Sequence, residues 1–257
     1  MLANRAGCAP ARSGQRGFSL LEMMLALAIL AAVIGVAVEG LTQMQRRDYA
    51  EHSKTDTVQE TRDFVDQMVR DLHDVGYPPR VVFLGKPVCT GDARVSCSLI
   101  AYSPTQIIYE GDLDGTGTVY RVWMQLAVPA SGSCPCIVRR GVLDKATVVA
   151  NPAVLPTYYT EVNGILNSGD GAGGSTYGIS LPGPGSYSTY ANADVFQAYD
   201  LNAARVGACI DATSCSSVAS LQITANVTSA YADPKTKIYP VYSITSMARV
   251  NNAQSDN

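Results

Sequence analysis

The sequence predicts an α+β protein: one long N-terminal helix, membrane-spanning and then stalk-like, packed on an antiparallel β-sheet head. Residues 23–38 are sixteen in a row without a charge. Behind them Val58, Val65, Met68, Val69, Leu72 and Val75 recur at helical spacing. Past residue 80, short β-branched and aromatic runs alternate with glycine, proline and aspartate, which is a strand-and-turn pattern. With 47% apolar residues, a net charge of −3, and 22 glycines spread without a period, disordered and collagen-like chains are excluded, and a basic nucleic-acid binder is disfavoured.

The first part of the helix is justified by length. Adding residues 18–21 extends the apolar run to 21, interrupted only by Glu22, and a bilayer core needs about 20 helical residues. Arg5, Arg12 and Arg16 stand in front of it with no acid among residues 1–17. That asymmetry keeps the front end cytoplasmic and exports the chain beyond the span. A buried core helix would not be this uniformly apolar between charged flanks. The apolar region of a secretory signal is about 7–15 residues, shorter than this run. A plain anchor leaves Glu22 without a reason, since a carboxylate costs roughly 2.5–3.5 kcal/mol at the bilayer centre, less near its edge.

Polar residues then enter without a helix breaker, so the helix is expected to continue to Gly76, with Pro78 and Pro79 beyond it. From Phe18 to Val75 it would reach about 87 Å at 1.5 Å per residue. Asp63, Asp66, Arg70, Asp71 and Asp74 read as its solvated face.

In the head, strands are expected at residues 99–102, 106–110, 119–127 and 137–142, then at 218–227 and 237–250. Asp112 to Gly117 reads as a hairpin loop. Residues 163–192 are dominated by glycine, serine, proline and tyrosine, and read as a long surface loop.

Of seven cysteines, Cys8 precedes the apolar run and six lie in the exported part. An oxidising compartment favours disulfides. Cys89–Cys97 and Cys209–Cys215 would close short local loops. That leaves Cys134-Pro135-Cys136, with a bond across one residue or cross-pairing both open. Zinc on the Cys-x-Cys pair is the rival, disfavoured by only two histidines in the chain. Asp112-x-Asp114-x-Thr116-Gly117 matches the first half of a calcium loop, where oxygens at alternate positions converge on a hard cation. Position twelve of such a loop is Trp123 rather than glutamate, so a metal-free hairpin is the competing reading, with Glu110 as an outside ligand if calcium binds.

Catalytic signals are poor. His52 and His73 both fall on the long helix, and no His-Glu-x-x-His, Gly-x-Ser-x-Gly or phosphate-loop pattern is present. No catalytic residue is assigned. Arg139-Arg140 is the only pair of adjacent bases in the head, too little for a nucleic-acid track.

Arg16-Gly17-Phe18-Ser19-Leu20-Leu21-Glu22 resembles the processing site of type IV prepilins and pseudopilins. The resemblance implies cleavage by a prepilin peptidase between Gly17 and Phe18, N-methylation of Phe18, and pairing of Glu22 with the N-terminal amine of a neighbouring subunit. It implies a leader over 1–17, a transmembrane and assembly helix over 18–40, an amphipathic stalk over 41–77 and an exported head over 78–257. Many major pilins of this type carry proline at the twenty-second mature position, where this chain has Glu39, which leans towards a minor pilin or pseudopilin. The leader is long for the family, which leaves the translation start open. The last strand, ending Met247-Ala248-Arg249-Val250-Asn251-Asn252, resembles that of PilW-like minor pilins, with Val250 interrupting their arginine-asparagine pattern.

The resemblance therefore implies a non-enzymatic minor pilin that takes part in pilus assembly. Its partners would be other pilins, the prepilin peptidase and the inner-membrane assembly platform. It would sit in the inner membrane, head in the periplasm, before assembly and in the pilus at the cell surface afterwards. Adhesion, twitching motility and DNA uptake are implied only for the group. A minor pseudopilin of a type II secretion system shares these signals, and an anchored exported enzyme or binding protein is the alternative of another class. Removal of the leader takes away three arginines and Cys8, so the mature chain would carry a charge of −6 and an even six cysteines.

Overall fold

The computed structural model describes residues 19–250. One helix, α1, runs Leu20–Asp74. The chain divides into two compact units between Arg46 and Arg47, six residues beyond the expected end of the transmembrane segment. The described part of the first unit is the start of this helix. Its apolar side chains are exposed throughout, from Leu20 at 79% to Val36 at 73%. Among the described residues α1 alone is long and apolar enough to cross a membrane.

In the second unit the helix turns one face inward. Thr61, Phe64, Val65, Met68, Asp71 and Leu72 are buried, a spacing of three and four that keeps them on one stripe. Each fully buried aliphatic side chain contributes about 1.5–3 kcal/mol. Val58 and Val69 are only half-buried at the edges of that stripe. Asp63, Asp66, Arg70 and Asp74 are exposed as expected, but Asp71 is not: it is 3% exposed. The helix stops where Gly76 takes a φ of +85° and its N–H donates to the Glu110 carbonyl at 2.9 Å. Glycine enters that left-handed conformation at little cost.

The head is a nine-stranded sheet whose strand pairings are antiparallel. Strands β1 (Leu99–Ser103), β2 (Gln106–Gly111), β3 (Tyr120–Ala127), β4 (Cys136–Asp144) and β5 (Tyr158–Ile165) succeed one another as a meander. Strand β8 (Ser220–Thr228) touches β5 at the single pair Ile165–Val227. It carries β6 (Phe196–Tyr199) and then β7 (Arg205–Val206) on one course, and β9 (Val241–Arg249) along its whole length. Tyr109, Val122, Met124, Val138, Val162 and Ile223 join the helix stripe in one apolar core.

Six expected strands are present within a few residues of their expected limits. Strands β5, β6 and β7 and the short helices α2 (Lys145–Ala150) and α3 (Ser188–Ala191) were not expected. Strand β5 is interrupted by Gly164 at a φ of +77°, and β6 and β7 are too short to show an alternation. Helix α2 starts on Asp144, whose side chain accepts the Thr147 N–H at 2.6 Å, the usual N-cap contact. The 163–192 segment is irregular over most of its length, but it is not simply a surface loop. Leu166, Asn167 and Ser168 are fully buried, and Tyr187 and Ala191 nearly so. Asn167 accepts the Asn226 N–H at 2.6 Å, so the loop is stitched to β8 by a buried amide.

Candidate functional site

The first candidate is the amino end of α1. The Ser19 carbonyl accepts the N–H groups of Glu22 and Met23 at 3.0 and 3.2 Å, which closes the first turn and puts Glu22 inside it. A carboxylate there opposes the positive end of the helix dipole, a favourable placement. Glu22 is exposed and stands among exposed Leu20, Leu21, Met23 and Leu25. In lipid, such a charge is costly and is relieved by a cationic partner. Gly17, Phe18 and Cys8 lie outside the described residues.

The second candidate is a pair of buried charge clusters in the head. Asp71 on α1 accepts from Tyr109 Oη at 2.8 Å, Arg140 Nη2 at 2.7 Å and Gln67 Nε2 at 2.5 Å. The Tyr109 hydroxyl is pushed well above its ordinary value by burial, and the Asp71 carboxylate pushes it the same way. Nearby, Glu110 accepts Arg121 through Oε1 at 2.7 and 2.9 Å, and Lys145 Nζ through Oε2 at 2.6 Å. Lys145 is fully buried and also donates to the Val95 carbonyl at 2.5 Å and to Cys97 Sγ at 3.6 Å. Burial lowers its ammonium pKa, and Glu110 opposes that shift. No motif announced this cluster. The alternation of β2 was the one available signal, since it puts Glu110 in a strand with mostly apolar neighbours.

The cysteines form three local bridges: Cys89–Cys97, Cys134–Cys136 and Cys209–Cys215. The bond across Pro135 brings two Cα atoms to 4.2 Å, short of the usual disulfide separation. With all six sulfurs in bonds, the Cys-x-Cys pair has no thiolate to offer zinc.

The Asp112–Gly117 loop joins β2 to β3. Asp112 Oδ2 accepts the Gly117 N–H at 2.8 Å. Asp114 accepts the Thr116 N–H and hydroxyl at 3.1 and 2.7 Å, and the Tyr120 hydroxyl at 3.1 Å. These donors close the turn and lower the Asp114 carboxyl pKa, the Thr116 hydroxyl most strongly. Glu110, the outside ligand expected for calcium, is taken by Arg121 and Lys145. Among the described residues no three His, Cys, Asp or Glu side chains are placed to hold a metal.

None of these clusters sets a nucleophile beside a base. His52 pairs with exposed Asp48 one turn away, at 3.8 Å. Arg140 is committed to Asp71, and Arg139 stacks over Tyr158 at 4.5 Å. What remains is the apolar helix with its single acid near the start. Residues 12–38 match the family model described as the prokaryotic N-terminal methylation motif. That motif supports a type IV pilin-like or pseudopilin-like protein. Its fold agrees, a long N-terminal helix leading into an antiparallel β head. The family of this motif consists of structural filament subunits rather than enzymes, associates with other pilins and is processed by prepilin peptidase. The apolar helix fits membrane anchoring. No curated protein and no solved structure matches the chain.

Proposed function

We propose that the chain is a PilW-like minor pilin that takes part in assembling a type IV pilus. The observation that carries this reading is the methylation motif over residues 12–38, continuous with a helix whose apolar side chains up to Met44 are exposed among the described residues. Such a surface needs lipid before assembly and neighbouring helices afterwards. Cleavage after Gly17 frees the Phe18 amine, and methylation leaves it cationic. Glu22 then gains a partner on the next subunit, which sets the register of the bundle. The head, braced by three disulfides, is carried outward.

The test is a deletion strain with surface pili sheared and counted. The expected result is a large loss of pili, restored by the intact gene, with the chain present in sheared pili far below the major subunit. Normal piliation combined with a defect in protein secretion would instead make the chain a secretion pseudopilin.

A further inference from the structure

Of the six cysteines in the described head, Cys89 alone is not buried. Cys97, Cys134, Cys136, Cys209 and Cys215 are all buried, at 6% exposure or less, whereas Cys89 is only half-buried. A thiolate must meet the sulfur it attacks, and access therefore selects the bridge and the direction of attack.

Cys97 is the sulfur with a buried cation beside it. Lys145 Nζ has three donors, and they face the Val95 carbonyl, Glu110 Oε2 and Cys97 Sγ. The Cys97 N–H is already given to Glu110 Oε2 at 2.8 Å. Charge counts the same way. Glu110 carries one negative charge and is faced by two cations, Lys145 and Arg121. Asp92, the next carboxylate, is held by Arg94 at 2.7 Å. The cluster thus has one positive charge in excess, and a thiolate at Cys97 would balance it.

We infer that Cys89–Cys97 is a thiol-exchange site, at which an external thiolate adds to Cys89 and releases Cys97 as a thiolate beside Lys145. The new bond joins the incoming sulfur to Cys89 Sγ. The Cys89–Cys97 bond breaks, and its electron pair stays on Cys97 Sγ. With a monothiol the reaction stops at the mixed disulfide, and Cys97 reverses it by attacking Cys89 and expelling the thiolate. With a dithiol, the reagent's second thiolate attacks its own sulfur in the mixed bond and releases Cys89. The reagent leaves as a disulfide and the bridge is left reduced by two electrons. A stabilised leaving thiolate speeds the first step.

The test uses the full chain in detergent micelles with glutathione as the probe. Samples are acid-quenched, alkylated and mapped by mass spectrometry. The expected product is glutathione on Cys89 with a free thiol at Cys97, formed at least about tenfold faster than either other bridge opens, because those are buried. After free glutathione is removed, reclosure by Cys97 should stay nearly flat between pH 8.5 and about 6.5. An ordinary thiol with a pKa of about 8.5 would slow about tenfold per pH unit. Lys145→Met should restore that slope, and if this variant does not fold, the slope of the natural chain decides. Glutathione on Cys97, earlier opening of another bridge, or an ordinary pH slope would each overturn the inference.

Discussion

Asp71 Oδ2 lies 2.7 Å from Arg140 Nη2, so one carboxylate ties the stalk part of α1 to β4. The same oxygen accepts the Tyr109 hydroxyl of β2 at 2.8 Å. Asp71 is buried and Arg140 half-buried, with side-chain exposures of 4% and 19%. Removing one member of a buried pair leaves the other charge uncompensated, which costs more than the pair itself contributes.

Asp71→Ala should therefore destabilise the head by about 3 kcal/mol. Asp71→Asn, which keeps an acceptor for Tyr109, should cost less. Urea titration of the full chain in detergent, tracked by near-ultraviolet circular dichroism, measures both. A midpoint for Asp71→Ala equal to that of the natural chain would show that the pair does not hold helix to sheet.

Tyr109 gives a pH dependence of known sign. Its hydroxyl is held well above the ordinary value of 10.0 in the fold, so above that pH the folded chain binds more protons than the unfolded one. Stability must then fall as pH rises past about 10, by up to about 1.4 kcal/mol per pH unit from this group. Phenolate absorbance at alkaline pH should show a fraction of the tyrosines ionising only as near-ultraviolet dichroism is lost. Ionisation of every tyrosine near pH 10 with the dichroism intact would contradict this.

Gly111 sits where the helix end meets β2. A Cβ there would lie 2.5 Å from the Asp74 carbonyl oxygen, and that oxygen is backbone and cannot swing away. Gly111→Ala should cost about 1–3 kcal/mol, the usual range for overpacking. Gly91, with open space around it, is the control, and Gly91→Ala should change the urea midpoint little.

For assembly, Glu22→Ala should leave insertion and processing intact and abolish entry into the filament. Immunoblots of membrane and sheared-pilus fractions separate these steps. Mutant chain in sheared pili at the natural level would remove Glu22 from the assembly mechanism.

The helix and six of nine strands were legible because apolar period and length are local properties. Residues 23–38 need no context to read as membrane-spanning, and the 119–127 run needs none to read as a strand. Asp71 was misread because the charged residues flanking it, Arg70 and Asp74, are exposed, while its partners Tyr109 and Arg140 are 38 and 69 residues away. Lys145 hid for the same reason, since nothing in its hexapeptide helix foretells Glu110 35 residues earlier. Buried charge is a property of tertiary pairing, which a single sequence does not display. The local disulfides at Cys89–Cys97 and Cys209–Cys215 could be expected from spacing, but Cys134–Cys136 had to be seen.

The central claim is that this is a processed pilin-like subunit, and the mature N-terminus measures it most directly. The full-length chain should be purified from membranes of cells that contain prepilin peptidase, and its first residues read by mass spectrometry. The expected first residue is N-methylated Phe18, with residues 1–17 absent. A mature chain beginning beyond Ala28, or one that keeps its leader, would contradict the claim.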